Sequence, residues 1–162
     1  MTRAYIVDNL IKVLEKAGNS TEKDRDYYYF LAGNCYYNMS QYGNNWSMRR
    51  YYWTSEPSNS ILPDNTEYFS NNLAQHYYMQ AFRMAKTREL RALCLRMAAH
   101  CKHDELLFKY TGGDFYSMYG ENDYTEKALR NNIYTQRFKK LYPDYTDHLY
   151  SSCYRYNEYF KI

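Results

Sequence analysis

Valine and isoleucine are scarce in this sequence, two and five residues in a chain of 162. A sheet protein of that length would use many more β-branched side chains. Proline is sparse too, with three residues, and glycine with six, so long stretches lack the residues that interrupt helices. These shortages disfavour a β fold and favour helix before any periodicity is read. The four cysteines, Cys35, Cys94, Cys101 and Cys153, contain no CxxC pair. Cys94 and Cys101 stand two helical turns apart, too far on one helix for a disulfide, and all four read as small buried hydrophobes.

No apolar run approaches the roughly 20 residues of a membrane span. The opening MTRAYIVDNLIK is an amphipathic helix start where a signal peptide would need an unbroken apolar segment. That opening has the character of a helix inside a domain, so the chain is expected to be part of a longer protein, and its compartment is not readable from this end. Runs of like charge are also missing. The net charge of +3 arises from 21 basic and 18 acidic residues spread along the whole chain, which argues against a nucleic-acid or membrane-surface partner.

What the sequence has in excess is tyrosine, 23 residues, which brings the hydrophobic share to 45% while mean hydropathy stays at −0.86. The apolar material is therefore amphipathic, and the length suits one domain with a contiguous core over 1–162. Ile6, Leu10, Val13, Leu14 and Ala17 form a helical stripe that Gly18 ends. Thr21 and Asp24 are expected to cap a second helix, with Tyr28, Leu31, Ala32, Cys35, Met39 and Tyr42 on one face before Gly43. Trp46, Arg49, Arg50 and Trp53 share a side of a short helix, and the turn formers from Glu56 to Asn65 predict a loop, so 43–65 reads as an irregular insertion. A further helix is predicted from Asp64, with Glu67 reaching back to its start, through Leu73, Ala74, Tyr77, Tyr78, Ala81, Met84 and Ala85. A tight turn at Lys86 and Thr87 then leads into one carrying Leu90, Leu93, Cys94, Met97, Ala98 and Cys101. Residues 111–123 predict a loop. Leu129, Ile133, Phe138 and Leu141 predict a sixth helix ending at Pro143, and Leu149, Cys153, Tyr156 and Phe160 a seventh beginning at Asp144 or Thr146.

Two segments carry a repeat signature. In YYFLAGNCYYNMS, Tyr29, Ala32, Gly33 and Tyr36 have the spacing of the first-helix motif of a tetratricopeptide repeat, and Ala74, Tyr78 and Ala81 have that of the second. A glycine inside a helix costs about 1 kcal/mol against alanine, so Gly33 predicts close approach by another helix. The chain thus resembles a tetratricopeptide-repeat domain over about residues 20–105. It departs from the pattern in the long interval from Tyr37 to Leu73 and in Arg96, which stands where a second repeat would need a small residue. The wording AGNCYYNMSQYGNNW is also similar to the carboxyl-terminal helical parts of large uncharacterised bacterial proteins. The resemblance implies an all-α, right-handed superhelix of antiparallel hairpins, about seven helices in all, acting as a scaffold that binds a protein or peptide.

Sites of chemistry are weak by comparison. His100 and Asp104, four residues apart, could share a metal, but Cys94, Cys101 and His103 do not complete zinc spacing, and the group reads better as a helix end where His100, Lys102 and His103 meet the carbonyl dipole. Asp114, Glu121, Asp123 and Glu126 could pair for acid–base work, yet read as caps and loop charges. Gly112 and Gly113 lack the lysine of a phosphate loop, and no nucleophile motif is present. The Asn-x-Ser/Thr triplets at Asn19, Asn38 and Asn45 matter only in a glycosylating pathway. The expectation is a non-catalytic protein without metal or cofactor. The alternative is a carbohydrate-binding or carbohydrate-processing module with an aromatic-lined groove, which the tyrosine content permits.

The candidate binding residues are Trp46, Arg49, Arg50 and Trp53, types that dominate binding hot spots. Replacing Arg49 and Arg50 by alanine is expected to leave the thermal midpoint unchanged and to weaken partner capture from source lysate. If instead the tryptophans close over the first two helices, Trp46→Ala or Trp53→Ala should cost about 3 to 5 kcal/mol while the arginine variant captures the partner normally.

Overall fold

The computed structural model describes residues 3–43, 65–113 and 123–145. Those residues form seven α-helices: α1 Arg3–Gly18, α2 Arg25–Met39, α3 Asn65–Ser70, α4 Asn72–Met84, α5 Arg88–Thr111, α6 Tyr124–Arg130 and α7 Ile133–Leu141. A 3-10 turn follows at Pro143–Tyr145. No strand occurs among the described residues, so the protein is all-α, as the scarcity of β-branched residues requires.

Two expected helices are each broken in two. The helix predicted from Asp64 to Ala85 stops at Asn71, whose backbone is left-handed at φ 55°. Asparagine tolerates that conformation better than most residues. Here Asn71 is held by burial at 1% exposure and by its Nδ2 donating to Asp104 Oδ2 at 2.8 Å. Glu67 acts forward, not back: its Oε1 accepts from the backbone N–H of Leu73 at 2.8 Å, in the first turn of α4. The second break is at Asn132, fully buried. Its Oδ1 accepts from the N–H groups of Tyr134 and Thr135, both at 3.1 Å, and its Nδ2 donates to Ala99 O of α5 at 2.7 Å. This cap starts α7 afresh, so the predicted stripe holds only in part: Leu129 and Phe138 are buried as expected, whereas Ile133 and Leu141 are 58% and 43% exposed and Thr135 and Tyr142 face inward in their place.

Other expectations shift for local reasons. The Thr21–Asp24 capping box does not form; Thr21 turns back to Asn19 Oδ1, and Asp24 pairs with Lys86 at 3.2 Å. α2 ends at Met39, because Ser40 is extended and its hydroxyl donates to Tyr37 O at 2.7 Å. Of the last predicted helix only Asp144 and Tyr145 are described, and they lie in the 3-10 turn; its other residues, the predicted Trp46–Trp53 helix and most of the 111–123 loop lie outside the described residues.

Packing runs mainly from each helix to its neighbours: α1 on α2, α2 on α4, α4 on α5, and α5 on α3, α6 and α7. α2 therefore needs two working faces. Tyr28 faces α1, its hydroxyl meeting Lys16 Nζ at 3.2 Å. The rings of Tyr29, Phe30, Tyr36 and Tyr37 pack against the core built by Ala74, Tyr78, Ala81, Phe82, Cys94, Leu95, Ala98 and Phe138. The α4–α5 hairpin turns at Lys86, as expected. Thr87 Oγ1 accepts from Leu90 N at 3.1 Å to cap α5, and the buried Asp26 at the start of α2 accepts from Lys86 N at 3.1 Å.

Two helices approach closely at Gly33, where a Cβ would stand 2.7 Å from Cδ1 and Cε1 of the Tyr78 ring. Tyr78 is fully buried and cannot swing away. Gly33→Leu is expected to destabilise the fold by about 1 to 3 kcal/mol through overpacking, read as a lowered urea midpoint. An unchanged midpoint would mean that the ring is not seated on Gly33.

Candidate functional site

The signature residues of the two half-repeats come together. Ala32, Ala74, Tyr78 and Ala81 are all fully buried and Gly33 is buried beside them. Tyr78 reaches across from α4, and its hydroxyl donates to Asn34 Oδ1 of α2 at 2.8 Å. A buried phenol needs such a partner, since an unmet hydroxyl costs about 1 to 3 kcal/mol. Tyr29 and Tyr36 lie one face further out. Between them stands Tyr77, which the signature does not include: its ring centroid is 5.2 Å from that of Tyr36 with planes 5° apart, and 6.3 Å from that of Tyr29 at 22°. Burial pushes the Tyr36 hydroxyl up from its ordinary value, with Tyr77 adding to it. These rings present their faces to one another.

Trp46, Arg49, Arg50 and Trp53 lie outside the described residues. The residues that flank their segment are joined: Gln41 N donates to Tyr68 O at 3.0 Å, so the chain departs from and rejoins the helices at one place.

The cysteine and histidine group sits inside α5, not at its end, because the helix runs on to Thr111 and closes at Gly112 with a left-handed cap at φ 65°. The dipole reading of His100, Lys102 and His103 is thereby corrected. Burial pushes the Cys94 thiol up to about 12 and raises Cys101 well above the usual thiol range, so both are held as unreactive thiols. His103 Nδ1 lies 3.6 Å from Asp104 Oδ1. Among the described residues no three His, Cys, Asp or Glu side chains are placed to hold a metal ion. Of the four loop carboxylates, Asp114 and Glu121 lie outside the described residues; Asp123 precedes α6 without a side-chain cap, and Glu126 pairs with Arg130.

A surface feature absent from the sequence reading gathers at the other end of α5. Arg88 lies over the rings of Tyr142 and Tyr145, at 5.9 and 5.4 Å from their centroids, and its Nη2 meets Asp144 Oδ2 at 2.9 Å. Arg91 Nη2 donates to Ala85 O at 2.8 Å, and the Arg137 guanidinium lies 4.9 Å over the Phe82 ring. Burial raises the Tyr142 hydroxyl, and the charges of Arg91, Arg88 and Arg137 pull it the other way. Three arginines from α5 and α7 thus converge about one tyrosine. In sequence the charges are scattered, and only the Arg88, Arg91 pair at one helix start hints at the patch.

His100 supplies a pH test. Burial, with Arg96 and His103 adding to it, pushes its imidazole from 6.5 down to about 3. Between those values the unfolded chain binds the extra proton and the folded chain does not, so the stability present above pH 6.5 falls as pH drops through the window. The slope is expected to reach about 1 kcal/mol per pH unit and to vanish in His100→Gln. Urea midpoints of both proteins at neutral and mildly acid pH check this; equal pH slopes would show that His100 is not the group responsible.

Compared with known proteins, the chain matches no family model, no curated protein and no solved structure. Among the described residues no helix is long and apolar enough to cross a membrane.

Proposed function

We propose that the protein is a non-catalytic scaffold of tetratricopeptide-like helix pairs that holds a protein or peptide partner. The observation that carries this reading is the packing order, in which α1 rests on α2, α2 on α4, α4 on α5 and α5 on α7, with α3 and α6 laid against α5. Such arrays leave a continuous side surface whose shape is fixed by the stacking and whose side chains are free to meet a partner. The close contact of Gly33 with Tyr78 supports the same reading, because a small residue there lets adjoining hairpins nest.

The carbohydrate alternative needs aromatic faces turned outward and carboxylates beside them. Tyr29, Tyr77 and Tyr36 spend their faces on one another. Glu67, whose charge is felt by Tyr36, is engaged at the start of α4. Neither arrangement suits a sugar platform.

The scaffold reading is tested by offering the purified protein a peptide-display library and a glycan array in parallel. Peptide ligands are expected to be enriched and to bind saturably. Glycan binding that Tyr77→Ala abolishes, without any peptide selected, would replace the scaffold by the carbohydrate module.

A further inference from the structure

The arginine patch has a charge balance that the fold does not explain. Among the described residues, Arg88 alone of the three guanidiniums meets a carboxylate, Asp144, while the neighbouring Glu89 accepts from Tyr145 Oη at 3.1 Å. Among the described residues neither Arg91 nor Arg137 pairs with an acid, and both are exposed. Arg88 and Arg91 also stand in the first turns of α5, at the positive end of its dipole, where cations are disfavoured. An incoming anion would relieve both costs at once.

Beside the charges lies apolar surface. Ile133, Arg137 and Leu141 follow one another at four-residue spacing along one side of α7, and the two apolar members are 58% and 43% exposed. Their neighbours Phe138 and Tyr142 are committed to the core and anchor α7 there. A guanidinium fork flanked by aliphatic side chains on a helix matches a ligand with carboxylates and apolar residues at helical spacing. A nucleic-acid backbone would find no use for the aliphatic pair.

Building on the scaffold reading, we propose that Arg88, Arg91 and Arg137, with Ile133 and Leu141 beside them, form a docking surface for an acidic amphipathic helix of a partner protein. The probe is a display library of amphipathic peptides about 20 residues long, in which the polar face carries either glutamate or lysine. The wild-type protein is expected to enrich the glutamate peptides. Binding of a selected peptide, followed by fluorescence anisotropy, should weaken by about tenfold or more in Arg91→Glu/Arg137→Glu, and also in Ile133→Ser/Leu141→Ser. The charge-reversed variant should enrich lysine peptides instead. Arg137→Glu alone, which removes only a ring contact, serves as the second variant should the Arg91 hydrogen bond to Ala85 prove necessary for folding; unchanged urea midpoints certify each protein. Glutamate peptides that bind the charge-reversed protein equally well would overturn this surface while leaving the scaffold reading intact. Failure of every peptide class would remove both. Tighter binding of duplex DNA than of any peptide, lost on charge reversal, would assign the patch to nucleic acid and overturn the proposal.

Discussion

The spacing between α2 and α4 is set by one missing Cβ. Because Gly33 lets the Tyr78 ring lie against the α2 backbone, Tyr78 can be fully buried and still place its hydroxyl on Asn34. Interiors packed at crystal-like density transmit a displacement to every neighbour. A side chain at position 33 would push α4 outward, part Tyr36 from Tyr77, and carry α5 with it through the short turn at Lys86. The remaining helices hang on α5. The geometry of the arginine patch, some helices away, thus descends from a glycine in α2.

A second set of constraints fixes where helices stop. Each break or turn is held by a polar side chain, in three cases from a distant element: Asp26 on Lys86 N, Asn71 on Asp104, and Asn132 on Ala99 O. These groups are nearly or fully buried, so each bond carries the penalty of a buried polar atom left unmet if it is lost. Apolar contact alone would let helices slide along one another; these bonds fix their register.

Much of the helical content was legible because it depends on local facts: few β-branched residues, stripes at helical spacing, Gly18 and Thr87 as punctuation. The interior breaks were not. Asn71 and Asn132 look like ordinary polar residues on a solvated face until Asp104 and Ala99 are brought to them from sequence positions more than 30 away. The facing of α2 was misread for a related reason. Periodicity assigns one buried stripe to a helix, whereas α2 is gripped by α1 on one side and α4 on another. Gly33, Ala74, Tyr78 and Ala81 were legible as contact residues because small side chains at fixed spacing have a steric meaning independent of tertiary structure. The arginine patch joins residues of α5 to one of α7, and no local pattern records that.

The serial order of packing also bears on how the molecule opens. α1 rests mainly on α2 and keeps Tyr5, Val7 and Ile11 in solvent, whereas α5, 24 residues long, is held by α3, α4, α6 and α7 together. Local opening follows the amount of surface that must be exposed. α1 can therefore detach while the rest stays native, whereas separating α5 breaks contacts with four other helices. Amide exchange across the chain should accordingly form a gradient, fastest in α1 and slowest in the middle of α5, with protection rising helix by helix toward the centre of the array.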